Sequence, residues 1–270
     1  MDGHVLCNSP EMVYNSRMKK LFASDFDNTL YFHGKQPSIR PGTVEAILKF
    51  QDAGNLFGLC TGRPARGLEG YYEGLFTPDF IIGSSGGMIL DRNGETLFER
   101  TVPNEIIRQL AQMGRDRGFT GAVHAEGRFV LLDAPDHVFP SLPRIKSPEE
   151  LKGRIVHGIS YITDSDTAAE RFTRDINSLF PSLVTAFQNR TAVDTTAAGC
   201  SKGSALMEAA RIFKADRTYG MGDSLNDLPL VTKADVGFTF PAVHEKLQRS
   251  ADRIVENAAE AILFALNESV

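Results

Sequence analysis

Two aspartates, Asp25 and Asp27, stand two positions apart in the segment Asp25–Leu30, one residue after the apolar residues Leu21–Ala23. The apolar residues are typical of a buried strand, and Asn28 indicates the start of a turn. Two carboxylates at the end of a buried strand repel each other and lose hydration, so their ionised forms are unfavourable without a cation or a catalytic task. The pair therefore indicates metal binding or acid chemistry at this point of the chain.

Three more groups of polar residues follow predicted strands or begin predicted helices. Thr61–Arg63 comes after the apolar run Leu56–Cys60, Lys202 stands at the start of a helical segment, and Gly222–Asp227 follows another strand. Open parallel sheets bind ligands at the carboxyl ends of their strands, which is where these groups would meet the aspartate pair. The first group also stands at a predicted helix start, which is favourable for an anion.

The elements that must position these groups alternate between strand and helix at both ends of the chain. Before residue 84 we predict strands at 21–25, 56–60 and 80–83 and helices at 43–53 and from Pro64 onward. After Gly199 we predict helices at 201–213, 227–233 and 258–266 and strands at 218–222 and 236–240. This alternation predicts an α/β fold, with a parallel sheet and helices on its faces.

The pattern changes between Ser84 and about Thr195, where hairpins dominate and Asn93-Gly94 is a strong turn signal. The predicted elements are strands at 88–90, 96–98, 121–125, 129–132 and 155–163, two more within 183–193, and helices at 103–117 and 168–180. We interpret this block as an antiparallel sheet with two helices, inserted into the α/β domain. The predicted organisation is an N-terminal extension at 1–16, a core at 17–83 and 196–270, and an inserted domain at 84–195.

Composition excludes several classes of protein. The net charge is -5 without a long basic run, so we expect no nucleic-acid partner. No stretch of about 18 apolar residues is present, so we expect no membrane span, and no signal-peptide pattern begins the chain, so we expect a cytoplasmic location.

The three cysteines, Cys7, Cys60 and Cys200, show no Cys-x-x-Cys spacing, which argues against a disulfide framework or a zinc site. We expect Cys60 to be a small buried apolar residue rather than a nucleophile.

Together the four groups resemble the motifs of the Cof-type (class IIB) phosphatases of the haloacid dehalogenase (HAD) superfamily. The matching positions are Asp25–Thr29, Thr61–Arg63, Lys202 and Gly222–Asp227, and the resemblance extends from about residue 21 to 266. It implies a Rossmann-like parallel core with an inserted α+β cap domain of the C2 type. It also implies a Mg²⁺-dependent phosphatase that hydrolyses a small phosphorylated metabolite, such as a sugar phosphate, through an aspartyl-phosphate. Such an enzyme would be a monomer or a homodimer.

The resemblance also implies roles for individual residues. The catalytic residues would be Asp25 as nucleophile, Asp27 as general acid and base, Lys202 as counter-charge, and Thr61. The metal ligands would be Asp25, the backbone carbonyl of Asp27, Asp223 and, in support, Asp227. Phosphate and substrate contacts would come from Thr61, Gly62, Arg63, Lys202, Asn226 and Ser85.

Some positions remain open on the sequence alone. Arg63 could reach the substrate or form a structural ion pair, and His33 is expected on a loop surface. Ser85 stands where related sequences usually have asparagine, so the usual polar contact to substrate is altered here. The inserted block offers several candidate substrate contacts, none singled out by the sequence: His124, Glu126, Arg128, Arg190 and Asp194.

Two alternatives to a phosphatase follow from the same motifs. A phosphotransferase or mutase of the phosphomannomutase type would transfer the phosphoryl group to a sugar acceptor instead of water. A non-catalytic binding protein could keep the fold, although such proteins usually lose a motif acid or the lysine, and none is lost here. A dehalogenase is disfavoured because those enzymes lack the second acid, which is present as Asp27.

Overall fold

The computed structural model describes residues 18–132, 134–135, 137 and 139–269. The predicted extension at 1–16 lies outside the described residues. In chain order the strands are β1 (Lys20–Ser24), β2 (Leu56–Cys60), β3 (Phe80–Gly83), β4 (Met88–Asp91), β5 (Thr96–Glu99), β6 (Thr120–Ala125), β7 (Arg128–Leu132), β8 (Arg144–Ile145), β9 (Val156–Ile162), β10 (Val184–Asn189), β11 (Ala192–Ala197), β12 (Arg217–Met221), β13 (Val236–Thr239) and β14 (Arg253–Ile254).

The α-helices show the apolar spacing from which most of them were predicted. In chain order they are α1 (Pro41–Asp52), α2 (Asn104–Arg115), α3 (Asp166–Leu179), α4 (Lys202–Phe213), α5 (Leu228–Lys233), α6 (Glu245–Ser250) and α7 (Ala258–Asn267). Within the described ranges, no helix combines the length and the apolar character needed to cross a membrane.

The first sheet contains eight strands in the spatial order β14-β13-β12-β1-β2-β3-β4-β5. The strands from β14 to β3 pair in parallel. Helices α1 and α7 cover one face and α4 and α5 the other, so β1 is buried along its whole length. The predicted α/β fold with a parallel sheet core is confirmed. Because both faces of the sheet are covered by helices, its strands have continuous apolar sequences.

A row of aromatic rings crosses the centre of this sheet. Phe22 of β1 stacks on Phe57, Tyr219 and Phe238, with ring centroids 5.8, 6.0 and 5.9 Å away. In the same register, Ser24 pairs with Leu59 on one side and with Met221 on the other. The carboxyl ends of β1, β2 and β12 therefore lie level, which places the polar residues that follow them at one edge.

The hairpin of β4 and β5 belongs to this first sheet. β4 pairs antiparallel with β3, and β5 pairs with β4. The sequence pattern groups these strands with the inserted block, because a hairpin pattern alone does not show which sheet it joins. The change of sheet therefore falls after Glu99, and the domain limits 17–83, 84–195 and 196–270 remain a prediction.

The second sheet contains six strands in the order β10-β11-β9-β6-β7-β8. Its pairs are antiparallel except β7 with β8. Helices α2 and α3 pack on one face through Ile107, Leu110 and Phe172, which share a core with Val123 and Ile159 of the strands. This is the mostly antiparallel sheet with two helices that the sequence predicts.

The prediction of a helix from Pro64 onward is wrong. Only a single 3-10 turn, Ala65–Leu68, forms there. Gly70 and Gly74 follow with φ of 87° and 75°, a left-handed conformation that ends helical structure. The expected anion site at a helix start after Thr61 is therefore not formed by a helix.

Candidate active site

Asp25 and Lys202 meet at the carboxyl edge of the first sheet. Lys202 is the first residue of α4, whose preceding residue Ser201 caps the helix by accepting a hydrogen bond from the Ser204 amide. Its Nζ lies 2.6 Å from Asp25 Oδ1 and 2.5 Å from Asp227 Oδ1. All three side chains are buried, so the ammonium group has its two carboxylate partners in a region of weak screening.

Asp227 also holds the loop that carries Asp223. Its Oδ2 accepts hydrogen bonds from the backbone N–H groups of Asp223 and Ser224, at 3.1 and 2.9 Å. Gly222 allows this fold of the loop, because a Cβ there would lie 2.3 Å from Asp227 Cβ. The segment Gly222–Asp227 is therefore a compact turn with one carboxylate at its centre.

The carboxylates of Asp25, Asp223 and Asp227 form an acidic cluster whose ligand atoms lie within 4.8 Å of one another. The buried ammonium group and the exposed guanidinium of Arg190, whose Nη2 lies 3.4 Å from Asp223 Oδ2, face these three carboxylates and leave one negative charge uncompensated. A hard divalent cation would supply that charge and accepts oxygen ligands of this kind. The residues present therefore fit a divalent metal ion. The side chain of Asp27, in contrast, lies outside this cluster.

The charge imbalance is visible in the acid–base properties of the cluster. Burial and the negative charge of Asp227 raise the pKa of Asp25 well above its usual range, against the pull of Lys202. Burial and Asp227 likewise raise the pKa of Asp223 to about 6. Burial alone would lower the pKa of Lys202, but Asp227 and Asp25 outweigh it and raise that pKa, so the lysine stays charged.

Asp27 forms an ion pair with Arg63. Of the two roles that the sequence leaves open for this arginine, substrate contact or structural ion pair, the structure shows the ion pair. Arg63 Nε and Nη2 donate to the two carboxylate oxygens at 2.7 and 2.6 Å, and His33 Nε2 lies 2.8 Å from Oδ1. Burial would raise the pKa of Asp27, but the hydrogen bonds and charge of Arg63 outweigh burial and lower it. Arg63 also contacts Tyr71, both at its hydroxyl and over its ring, a neighbour that sequence reasoning missed.

The remaining predicted contact residues surround the same edge of the sheet. Thr61 is buried, and its Oγ1 accepts a hydrogen bond from the Arg63 amide. Ser85 and Asn226 are buried too, and Ser85 Oγ and Asn226 Oδ1 have no hydrogen-bond partner among the described residues. Buried polar atoms without partners are costly and are commonly satisfied by a ligand or water.

The two described cysteines are not among the charged groups of this site, and Cys60 Sγ contacts the backbone carbonyl of Lys202, at 3.9 Å. Cys60 and Cys200 are buried, and burial raises the pKa of both thiols. A protonated, buried thiol is a poor nucleophile, which agrees with the expectation for Cys60. Cys7 lies outside the described residues.

Comparison with known proteins gives a consistent result. The family model of haloacid dehalogenase-like hydrolases matches residues 22–266. A Metamycoplasma hominis protein with a phosphatase name is 26% identical over an alignment 272 residues long. The alignment covers 90% of this chain and 94% of that protein. The pyridoxal phosphate phosphatase YbhA of Escherichia coli is 20% identical, with 90% and 96% covered.

The fold comparison agrees with the family match. The solved structure of a sugar phosphatase of HAD subclass IIB superposes with a TM-score of 0.76 at 21% identity, covering 90% of this chain and 95% of that one. At this identity the likeness shows the fold, and it includes both sheets. By the match of its sequence over residues 22–266, the chain belongs to the haloacid dehalogenase-like hydrolase family.

Proposed function

We propose that the protein is a Mg²⁺-dependent phosphatase that uses Asp25 as a nucleophile on a small phosphorylated metabolite, such as a sugar phosphate. The observation that carries this proposal is the placement of Asp25 beside Lys202 and in one cluster with the acids Asp223 and Asp227 at the edge of the parallel sheet. The enzyme class expected from the sequence, a phosphoric monoester hydrolase, is confirmed by the family match and by the phosphatase names of the relatives.

Asp25, Asp223 and Asp227 would hold the metal ion, and the family resemblance adds the backbone carbonyl of Asp27. When bound, the ion would offset the repulsion between a carboxylate nucleophile and a phosphate dianion and would polarise the phosphoryl group. A ligand set made only of oxygens suits a hard divalent ion, and the family resemblance implies that this ion is Mg²⁺.

Asp25 would attack phosphorus with a carboxylate oxygen, so that an O–P bond forms as the ester P–O bond breaks. Lys202, already 2.6 Å from Asp25, would balance the negative charge that gathers on the phosphoryl group. Water would then hydrolyse the acyl phosphate and restore Asp25. Thr61, Gly62 and Asn226 would contact the phosphoryl oxygens, and Ser85 would contact the substrate.

Asp27 would protonate the leaving oxygen and then accept a proton from the attacking water. Both of its oxygens are bound by Arg63 in this structure. Because Arg63 lowers the pKa of Asp27, the carboxyl group would gain the proton that it donates only after Arg63 releases at least one oxygen when substrate arrives. The guanidinium would then be free for the substrate. We further propose that residues 84–195 act as a cap that governs substrate choice and that the enzyme works in the cytoplasm as a monomer or homodimer.

The test compares Asp25→Asn with the wild type on p-nitrophenyl phosphate in the presence of Mg²⁺. We expect phosphate release to be lost while the thermal unfolding curve remains cooperative. Asp52→Asn is the matched control, because Asp52 is an exposed acid at the end of α1, and it should keep full activity. Undiminished turnover by Asp25→Asn would overturn the proposal.

A further inference from the structure

A line of hydrogen bonds runs through the second sheet to the edge of the active site. His124 of β6 joins Ser84 Oγ through Nδ1 at 3.1 Å and Ser160 Oγ through Nε2 at 2.8 Å. Ser160 Oγ in turn lies 2.5 Å from Asp194 Oδ1 on β11. We name these four residues the Ser84–Asp194 chain.

The protonation of its residues gives every hydrogen bond of the Ser84–Asp194 chain the same donor-to-acceptor direction. Burial lowers the pKa of His124 to about 3, so the imidazole is neutral and carries one N–H. Ser160 donates its hydroxyl proton to Asp194 and must therefore accept from His124 Nε2–H. His124 Nδ1 then accepts from Ser84. Each hydrogen bond points toward Asp194, so the carboxylate is held through Oδ1 from a buried scaffold.

The other oxygen, Asp194 Oδ2, faces Thr61–Arg63, the segment proposed to bind phosphate and called the phosphate-binding segment. It lies 2.5 Å from the position that a Cβ on Gly62 would occupy, and it accepts no hydrogen bond from the described residues. Ser85 Oγ lies 3.6 Å from that same position. Ser85 is 1% exposed, and this hydroxyl is without a partner in the described part of the chain.

The backbone that brings Ser85 there is strained. Ser84 and Ser85 have φ of 51° and 52°, a left-handed conformation that is unfavourable for serine. Gly86 follows with φ of 101°, and a side chain there would collide with the carbonyl of Ser201. The strained segment is thus fixed between α4 and His124, which keeps Ser85 beside Asp194.

We propose that Asp194 is a specificity-determining residue whose Oδ2, together with Ser85 Oγ, binds a hydroxyl group on the alcohol portion of the substrate, close to the ester oxygen. The remaining residues of the Ser84–Asp194 chain are positioning residues. This subsite rests on the proposed function and deepens it: the substrate class becomes the polyol phosphates. A carboxylate acceptor there favours hydrogen-bond donors and repels a second anionic group near the ester.

The test uses two substrates that differ by their hydroxyl groups, glycerol 1-phosphate and propyl phosphate. Wild-type kcat/KM should be at least about tenfold higher for glycerol 1-phosphate, because a hydrogen bond to a charged group is worth roughly this factor or more. Asp194→Asn keeps an acceptor for Ser160 but presents an amide to the substrate. It should remove most of the preference, mainly through KM, while propyl phosphate stays within about threefold of wild type.

Ser160→Ala is a second variant. It keeps the Asp194 carboxylate but removes the hydroxyl that donates a hydrogen bond to it. It should raise KM for glycerol 1-phosphate and leave propyl phosphate unchanged. Asp164→Asn, at an exposed acid of the loop between β9 and α3, is the matched control and should behave as wild type. Equal losses on both substrates, or an unchanged preference in both variants, would overturn the subsite. If wild type released phosphate from neither substrate nor from p-nitrophenyl phosphate, the proposed function would fail and the subsite with it.

Discussion

Lys202 Nζ lies 2.6 Å from Asp25 Oδ1 although the two residues are 177 positions apart in the sequence. The contact joins the end of β1 to the start of α4, and therefore the two halves of the α/β domain on either side of the inserted block. Since the ammonium group also binds Asp227, one buried cation holds two carboxylates of the acidic cluster. The contact is consequently important for stability and for the chemistry proposed above.

Lys202→Met should remove activity and also destabilise the fold. Without the lysine, two buried carboxylates lose their cation, and breaking a buried pair in this way costs about 3–5 kcal/mol of unfolding free energy. Urea unfolding at neutral pH without metal measures this loss. Lys246→Met, at an exposed lysine of α6, should change the free energy of unfolding by less than about 0.5 kcal/mol. A similar small effect for Lys202→Met would contradict the role of the contact.

Metal binding should stabilise the protein through the acidic cluster. Adding Mg²⁺ at a hundred times its dissociation constant should raise the free energy of unfolding by about 2.7 kcal/mol, and a chelator should reverse the gain. Asp223→Asn should lose most of this gain, while Asp52→Asn should keep it. Differential scanning fluorimetry over a series of Mg²⁺ concentrations gives the comparison. A shift that survives Asp223→Asn unchanged would place the metal elsewhere.

Gly62 should tolerate no side chain. A Cβ at this position would lie 2.5 Å from Asp194 Oδ2 and 3.3 Å from its Cγ, so Gly62→Ala must displace the carboxylate from the phosphate-binding segment. We expect kcat/KM to fall by about two orders of magnitude, in line with the cost of a small misplacement in an active site. Gly42→Ala is the matched control, because nothing lies within 4 Å of its Cβ position in α1. Steady-state kinetics that show equal behaviour of the two variants would contradict this close approach.

Acid should destabilise the protein through His124. The folded state has a pKa of about 3 at this residue, below the ordinary value of 6.5, because the ring is fully buried. The unfolded chain therefore binds a proton that the folded chain does not, and stability falls as pH falls below about 6.5. One pKa unit corresponds to about 1.4 kcal/mol, and the unfolded ring is already half protonated at pH 6.5, so about 2 kcal/mol should be lost between pH 6.5 and 4.5.

Chemical denaturation at both pH values, compared between wild type and His124→Gln, isolates this effect. The variant carries no titrating ring at this position, so its stability should fall less over the same interval. Parallel loss in both proteins would show that His124 is not the group responsible.

Much of the fold could be predicted because its strands have simple apolar patterns. β2 begins and ends where the sequence predicts, whereas β1 begins and ends one residue before the predicted 21–25, so Asp25 follows the strand instead of ending it. β8, α6 and β14 were not predicted, since they are only two to six residues long and show no clear periodicity. The segment after Pro64 has helical spacing, but its glycines favour turns.

The site was predicted in part for a related reason. Asp25 and Asp223 follow strands of one parallel sheet and must converge, whereas Lys202 begins α4 after a strand of the second sheet, so its place beside them came from the family resemblance. The ion pair of Arg63 with Asp27 and the approach of Asp194 to Gly62 are tertiary contacts. They depend on side-chain packing and on how the two sheets meet. Neither has a local signal in the sequence.

In the proposed mechanism Asp25 carries the phosphoryl group during turnover. The most direct measurement is the intact mass of the protein after rapid acid quenching of a reaction with p-nitrophenyl phosphate and Mg²⁺, followed by peptide mapping. We predict a mass increase of one phosphoryl group, located on the peptide that contains Asp25 and missing in Asp25→Asn. Steady turnover by the wild type without phosphorylated Asp25, or with the phosphoryl group on another residue, would contradict the account.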